Sequence, residues 1–479
     1  MGSEWRTVKL GDIAENASRP FDFSKHERVV FINTGDVLHG KFLHSNRIVP
    51  KDLPGQAKKR IEKNDILFSE IRPANKRYAL VDFDPEEYVV STKFIVIKLL
   101  SEEIDPHFFY IQLTCDKTLC EFQRIAESRS GTFPQITFDS VAYYPFILPP
   151  LPEQRAIAHI LGSLDDKIEL NRKMNKTLEA IARATFKSWF IDFDPVIDNA
   201  LRAGNPIPDS MAERAEMRRQ ILDQNQPSSS SQRAKDKNYL EGFKFSGLGN
   251  VSIDEIYELF PDSFQNSELG AIPKGWEVKS LGELCEKPQY GFTTSAKDKK
   301  VGPKFLRITD INKLPWVEWS NVPWCEIISA GYDKYKLRIG DFLIARMADP
   351  GHGVYIEEEV EAVFASYLIR FRPVDLRYGR YMQYWQHSSI YWNLINARKA
   401  GTTRFSLNAK DLSAFPMLIP TFPILEAFSV FINPIRQIIV HNVQESMILT
   451  SLRDTLLPKL ISGELRVPDA VAIIKGVEL

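Results

Sequence analysis

One stretch limits what this chain can fold into more than any other. It runs from Pro149 to Pro195 and opens with Pro149-Pro150-Leu151-Pro152. Proline fixes φ and lacks an amide hydrogen, so this turn ends what precedes it and suits a helix start. No further proline follows until Pro195, and the only glycine is Gly162. Apolar residues recur at helical spacing at Ile157, Ile160, Leu161, Leu164, Ile168, Leu178 and Ile181. The pattern predicts a helix from Glu153 to about Phe190, roughly 55 Å long at 1.5 Å per residue. Its narrow apolar stripe is that of a helix paired with another.

A partner helix lies 271 residues further on. Pro416-Met417-Leu418-Ile419-Pro420-Thr421-Phe422-Pro423 repeats the pattern of Pro145 to Pro152, and Phe428, Phe431, Ile432, Ile435, Ile439, Leu449 and Leu452 repeat the stripe. Asn171 maps onto Asn442, a polar residue on the apolar side of both helices, which commonly fixes register at a cost in stability. The repeat extends beyond the helices. Trp5, Leu10 and Gly11 recur as Trp276, Leu281 and Gly282. Phe31 to Val37 recur as Phe305 to Ile311, Asn64 to Phe68 as Gly340 to Ile344, and Gly131-Thr132 as Gly401-Thr402. The chain reads as a tandem duplication with an internal pseudo-two-fold.

Each half reads as mostly β, with short β-branched and aromatic runs at 29–32, 65–68 and 94–97. A helix is expected at about 108–126 and again at 378–396. The fold class is therefore α+β: two mostly β globular domains, each followed by a long helix, the helices pairing as an antiparallel coiled coil. The expected boundaries are 1–148 for the first globular domain, 149–195 for the central helix, 196–273 for a linker, 274–419 for the second globular domain, 420–465 for the C-terminal helix and 466–479 for a tail. In the linker, 211–225 suits a charged surface helix, 228–231 a flexible loop and 253–260 a short helix. Its simplest role is connection.

Charge is nearly balanced, with 61 basic and 62 acidic residues, so nucleic-acid binding must come from local patches. Cys115, Cys120, Cys285 and Cys325 form no C-x-x-C pair, which suits reduced cytosolic thiols better than a metal site or disulfide framework. No uninterrupted apolar run reaches membrane length. The start, Met1-Gly2-Ser3-Glu4, does not read as a signal peptide. A cytoplasmic protein is expected.

Catalytic motifs are scarce. There is no P-loop, G-x-S-x-G or H-E-x-x-H, and Gly247-Leu248-Gly249 is half a dinucleotide fingerprint without a preceding strand. Asp262 with Glu277 and Lys279 has the spacing of a Mg-dependent nuclease, with carboxylates for the metal and a lysine to orient water. Against it, the first copy carries Arg6-Thr7-Val8 where Glu277-Val278-Lys279 stands. A coiled-coil scaffold that binds no DNA is the other alternative.

Basic loops are the better signal. The first half offers Lys58, Lys59 and Arg60, then Arg72, Asn75, Lys76 and Arg77, then Arg129, Ser130 and Thr132. The second offers Thr293, Thr294, Lys297, Lys299 and Lys300, then Arg346, then Arg398, Lys399, Thr402, Thr403 and Arg404. Lys and Arg neutralise phosphates, while Arg and Asn read base edges. Trp316, Trp319 and Trp324 suit packing more than base stacking.

With these residues in view, the chain resembles the DNA-specificity subunit of a type I restriction-modification system. The resemblance is carried by Leu148 to Arg155, Lys187 to Pro195, Leu456 to Leu465 and Glu268 to Trp276, and it spans nearly the whole chain. Two departures stand out: Ile424-Leu425 replaces Glu153-Gln154, and Leu460-Ile461 replaces Trp189-Phe190. The resemblance implies two target recognition domains that read a bipartite site in double-stranded DNA. It also implies paired helices that act as spacer and docking surface for two modification (methyltransferase) subunits. Restriction or motor subunits would complete the assembly. S-adenosylmethionine would sit on the modification subunits and Mg and ATP on the motor subunit, with no cofactor in this chain and no catalysis by it.

Overall fold

A computed structural model describes residues 5–129, 132–224, 253–399 and 405–476. By contact the chain divides into two units: residues 1–169 with 448–479, and residues 170–447. This division cuts both long helices, which the sequence reading kept whole.

In the first unit the strand Arg6–Lys9 pairs antiparallel with Pro145–Leu148, the strand immediately before the central helix. A four-stranded antiparallel sheet runs in the order Tyr78–Leu80, Ile66–Ser69, Phe94–Leu99, Ala14–Asn16. A five-stranded sheet holds the parallel pair Val29–Ile32 and Tyr88–Ser91. These strands fall where β-branched and aromatic runs lie, and their residues are almost all buried. The expected helix at 108–126 is two helices, Pro106–Thr114 and Asp116–Arg129.

The second unit repeats this plan. Glu277–Ser280 pairs with Pro416–Ile419, so Arg6↔Leu148 becomes Glu277↔Ile419. Lys304–Leu306 and Ala362–Phe364 form the parallel pair. Phe342–Ala345 lies between Gly353–Tyr355 and Leu368–Phe371. The helix expected at 378–396 is again two, Arg377–Trp385 and Ser389–Lys399. Even the close approaches recur. Gly11 N–H donates to the Ala142 carbonyl and Gly282 N–H to the Ser413 carbonyl, both at 2.9 Å. A Cβ on either glycine would stand 3.2 Å from Ala142 Cβ or 3.0 Å from Ser413 Cβ.

The central helix spans Leu151–Phe190 and the second long helix Phe422–Ser462. They run antiparallel. In the first unit Ile157, Leu161, Leu164 and Ile168 pack with Leu449, Leu456 and Leu460. In the second, Leu178 and Ala182 pack with Ile432, Ile435 and Ile439. Asn171 and Asn442 are buried at this seam: Asn171 donates to Glu445 at 2.6 Å and Asn442 to Asn175 at 2.8 Å. The second helix also contains a window of mean hydropathy 1.3, long and apolar enough by composition to cross a membrane. The expectation of no membrane-length stretch thus holds only for unbroken runs. Phe428, Ile432, Ile435 and Ile439 spend that apolarity in the core of the second unit.

The segment read as a linker is partly folded. Helix Asp194–Ala203 buries Val196, Ile197 and Ala200. Arg214 and Arg218, on the expected charged helix (Ala212–Gln224), grip the buried carboxylates of Asp194 and Asp198. The short helix expected near 253–260 is Ile253–Tyr257, and the expected loop at 228–231 lies outside the described residues.

Candidate nucleic-acid interface

The basic residues stand on a frame that both halves share. A buried aspartate opens the strand that leads into the main loop of each half. Asp65 receives two bonds from Arg19, at 2.6 and 3.1 Å, and one from Glu62 N–H at 2.7 Å. Asp341 receives two from Arg372, at 2.6 and 2.9 Å, and one from Arg338 N–H at 2.9 Å. The residue before each, Asn64 or Gly340, is left-handed, with φ of 72° and 94°. Asn and Gly are the residues that adopt this conformation most readily.

From this frame the chain runs into a hairpin loop between Ile66–Ser69 and Tyr78–Leu80. Here lie Arg72, Asn75, Lys76 and Arg77. Arg72 and Asn75 are exposed, and among the described residues neither side chain has a hydrogen-bond or ionic partner. Lys76 pairs with Asp116 at 3.0 Å, and Arg77 donates to the Thr34 carbonyl at 2.8 Å. The segment after Arg129 joins the same loop: Arg72 N–H donates to the Pro134 carbonyl at 3.1 Å, and Ile71 bridges Gln135. Arg129 reaches Thr137 at 3.2 Å, and Thr132 is exposed. The structure therefore joins the 72–77 loop to the 134–135 segment that follows Thr132.

Lys58, Lys59 and Arg60 belong to another surface, on the Ala57–Arg60 strand. Lys59 donates to the Phe94 carbonyl at 2.7 Å, and burial pulls its pKa down. Arg60 pairs with Glu62 at 2.5 Å, which leaves Lys58 as the exposed member without a side-chain partner among the described residues.

In the second half the matching loop runs from Arg346 to His352. Arg346 lies over the Tyr290 ring at 4.9 Å, and its main chain is fixed on both sides: its N–H donates to the Tyr367 carbonyl at 2.9 Å and its carbonyl accepts from Leu407 N–H at 2.8 Å. Sequence reasoning singled out Arg346 alone here and missed Met347, Asp349 and His352. The available signal was the Asp65/Asp341 repeat, which aligns the two loops. Thr293, Lys297, Lys299 and Lys300 are exposed and Thr294 partly so, in a loop tied down where Lys297 bridges Trp324. Lys304 lies 3.7 Å over the Trp324 ring, so this tryptophan packs rather than presenting a face. Arg398 covers the Phe415 ring at 4.4 Å, and Lys399 is exposed at the same helix end. Ser130, Thr402, Thr403 and Arg404 lie outside the described residues.

The nuclease alternative finds no support. Lys279 pairs with Glu277 at 2.7 Å on a strand edge, and among the described residues no cluster of His, Cys, Asp or Glu could hold a metal ion.

Comparison with known proteins agrees with this architecture. The family described as "Type I restriction modification DNA specificity domain" matches residues 2–180 and 273–441, one copy per half. The chain is 35% identical to the type I restriction enzyme HindI specificity subunit of Haemophilus influenzae, over 97% of this chain and all of that protein. It is 24% identical to the MjaIX specificity subunit of Methanocaldococcus jannaschii, over 97% and 94% of the two chains. A crystal structure of the type I restriction-modification S subunit from M. genitalium shares the fold, with a TM-score of 0.54, 12% identity and 96% coverage of each chain. The chain belongs to the DNA-specificity subunits of type I restriction-modification systems, the non-catalytic component that gives such a system its DNA sequence specificity and works with its other subunits.

Proposed function

We propose that each globular half reads one part of a split site in double-stranded DNA and that the paired helices set the gap between the parts. The observation that carries this reading is the duplication itself. Both halves build a loop on one shared frame, both carry exposed basic or amide side chains, and each half runs directly into a long helix. Lys58, Arg72, Asn75 and Thr132 in the first half, and Thr293, Lys297, Lys299 and Lys300 in the second, are the side chains left available for phosphates and bases. Two modification subunits dock on the helices, carry S-adenosylmethionine and supply the methyl-transfer chemistry. The motor subunits bring Mg and ATP. The assembly works in the cytoplasm.

Helix length is the testable part. The helices are paired, so an insertion must be made in both. Repeating residues 171–177 after Thr177 and residues 438–444 after Gln444 adds one heptad to facing segments. Each apolar stripe is displaced by only about 20° per heptad. The added length is about 10 Å, against about 3.4 Å per base pair. Mapping of methylated sites, with the variant assembled into its complex, should find unchanged half-sites and a spacer longer by about three base pairs. An active variant with the original spacer would leave the helices with a docking role only.

A further inference from the structure

The two hairpin loops match when counted inward from either end, although their sequences differ and the first is one residue longer. Each is closed by the same bond: Ser69 N–H to the Arg77 carbonyl at 2.9 Å, and Ala345 N–H to the His352 carbonyl at 2.7 Å. Each is held at its foot, by Glu70 N–H to the Lys93 carbonyl at 3.1 Å and Arg346 N–H to the Tyr367 carbonyl at 2.9 Å. Two residues past the foot, Arg72 (φ 45°) and Ala348 (φ 62°) are left-handed. So are Lys76 (φ 54°) and Gly351 (φ 97°), each one residue before the close. Three of these four carry a Cβ in a conformation that costs free energy, and such strain persists where the surroundings fix it and commonly at functional sites.

The surroundings do fix it. Ala74 N–H donates to Gln123 at 3.0 Å, and the Lys76 carbonyl accepts from His39 N–H at 2.9 Å. In the second loop the Gly351 carbonyl accepts from the Tyr391 hydroxyl at 2.7 Å. The frame is common, but the tips differ in chemistry. The first presents donors, Arg72 and Asn75. The second presents Met347, 39% exposed, and the carboxylate of Asp349, which accepts from Asn312 at 3.1 Å.

We propose that these loops are the base readers of the two halves and that they read with opposite polarity. Arg72 and Asn75 suit a purine edge, guanine O6/N7 or adenine N6/N7. Asp349 suits an exposed amino group, such as cytosine N4, with Met347 against apolar base surface. Arg77 and Arg346 brace the feet of the loops. This inference rests on the reading that each half meets one half-site.

The test uses the full complex with its modification subunits and a randomised DNA library, sequenced for methylated sites. Arg72→Ala should lower discrimination at one position of one half-site by about tenfold or more. Asp349→Asn, which replaces an acceptor pair with an amide, should change the preference at one position of the other half-site. Asn312→Ala removes the amide partner of Asp349 but keeps the carboxylate and the nearby His352 ring, 3.5 Å away, and should retain that preference. Arg72→Gly deletes the side chain while relieving the backbone, so it provides the first result without a folding penalty. The inference is overturned if Arg72→Gly and Asp349→Asn leave both half-sites intact, alter the same half-site, or weaken methylation evenly across sequences. A wild-type complex that methylates without sequence preference would instead overturn the function proposed above.

Discussion

The two copies of the helix start carry the same backbone but opposite side-chain chemistry. In the first, Glu153 accepts from Trp5 Nε1 at 2.9 Å. Gln154, buried, donates to the Pro149 and Glu103 carbonyls and accepts from Asp105 N–H, all within 3.0 Å. In the second, Ile424 and Leu425 occupy those positions, fully buried, and the Trp276 indole N–H has no hydrogen-bond partner among the described residues. The helix seam reverses the contrast. Arg436 is fully buried in the second unit and bonds Glu179 at 2.7 Å and Glu357 at 3.0 Å. Its counterpart one repeat earlier is Asp165, half-exposed and paired with Arg453 at 2.6 Å. Duplication thus preserves hydrogen-bonded backbone geometry, while each copy settles its own polar interior.

The largest test of this contrast is Arg436→Ala. Burial alone would raise the Glu357 pKa, but Arg436 and Arg380 outweigh it and hold the carboxyl below its usual range. Removing Arg436 leaves two buried carboxylates short of a cation, and breaking such a pair costs about 3–5 kcal/mol. Urea unfolding should show a loss of this size. A loss below about 1 kcal/mol would mean that this network contributes no more than a surface pair.

Next in size is a difference in acid response. The bend between the paired short helices of the second half holds His387, whose pKa burial pushes down to about 3, aided by Arg183, Arg436 and His352. The bend in the first half holds Cys115 instead. Unfolded, His387 takes up a proton near pH 6.5. Between pH 6.5 and about 3 the unfolded chain binds a proton that the folded chain does not, so stability falls as pH falls. His387→Gln should recover about 1–2 kcal/mol at pH 5 relative to pH 7.5. Equal pH profiles for the two proteins would show that His387 ionises without cost.

These contrasts also mark what the sequence made legible. The helices, their antiparallel partners, the buried Asn171 and Asn442 and the strands expected at 29–32, 65–68 and 94–97 all follow from periodicity and one nearly constant offset, with strand ends off by one or two residues. The constellations that cross between elements did not. Glu179, Glu357 and Arg436 come from three separated segments, and no spacing rule joins them. The helix ending at Thr114 was merged with the next because apolar positions continue through the bend. Among the site residues, Arg72 and Asn75 were visible as a basic, proline-marked loop. Asp349 and Met347 were passed over because a search for positive charge does not find an acceptor.

A smaller effect is expected from making the first helix start resemble the second. Gln154→Leu copies Leu425 but leaves the Asp105 amide and the Glu103 and Pro149 carbonyls without their shared partner. A buried group left unsatisfied costs about 1–3 kcal/mol. The new apolar contact offsets part of this, so a net loss of about 1 kcal/mol in urea is expected. A neutral result would show that water or local movement replaces the amide, and that the polar bracket of the first copy is dispensable.

The smallest effect is expected where the first unit carries its own ion pair. Arg453 and Asp165 are partly exposed, at 31% and 52% of their side chains, and Arg453 shares its charge with Asp454 at 2.7 Å. Solvent screens such a pair, and the second carboxylate retains part of the attraction when the first is removed. A double-mutant cycle with Arg453→Ala and Asp165→Ala should therefore give a coupling of about 0.2–1 kcal/mol. Raising the ionic strength to 1 M, where the Debye length is about 3 Å, should shrink it further. The cycle of Arg436 with Glu179, run alongside, should be several times larger and nearly independent of salt, because a buried pair is screened far less. Couplings of equal size and equal salt dependence would show that burial does not distinguish the two pairs, and that the two ends of the seam are held by the same kind of interaction after all.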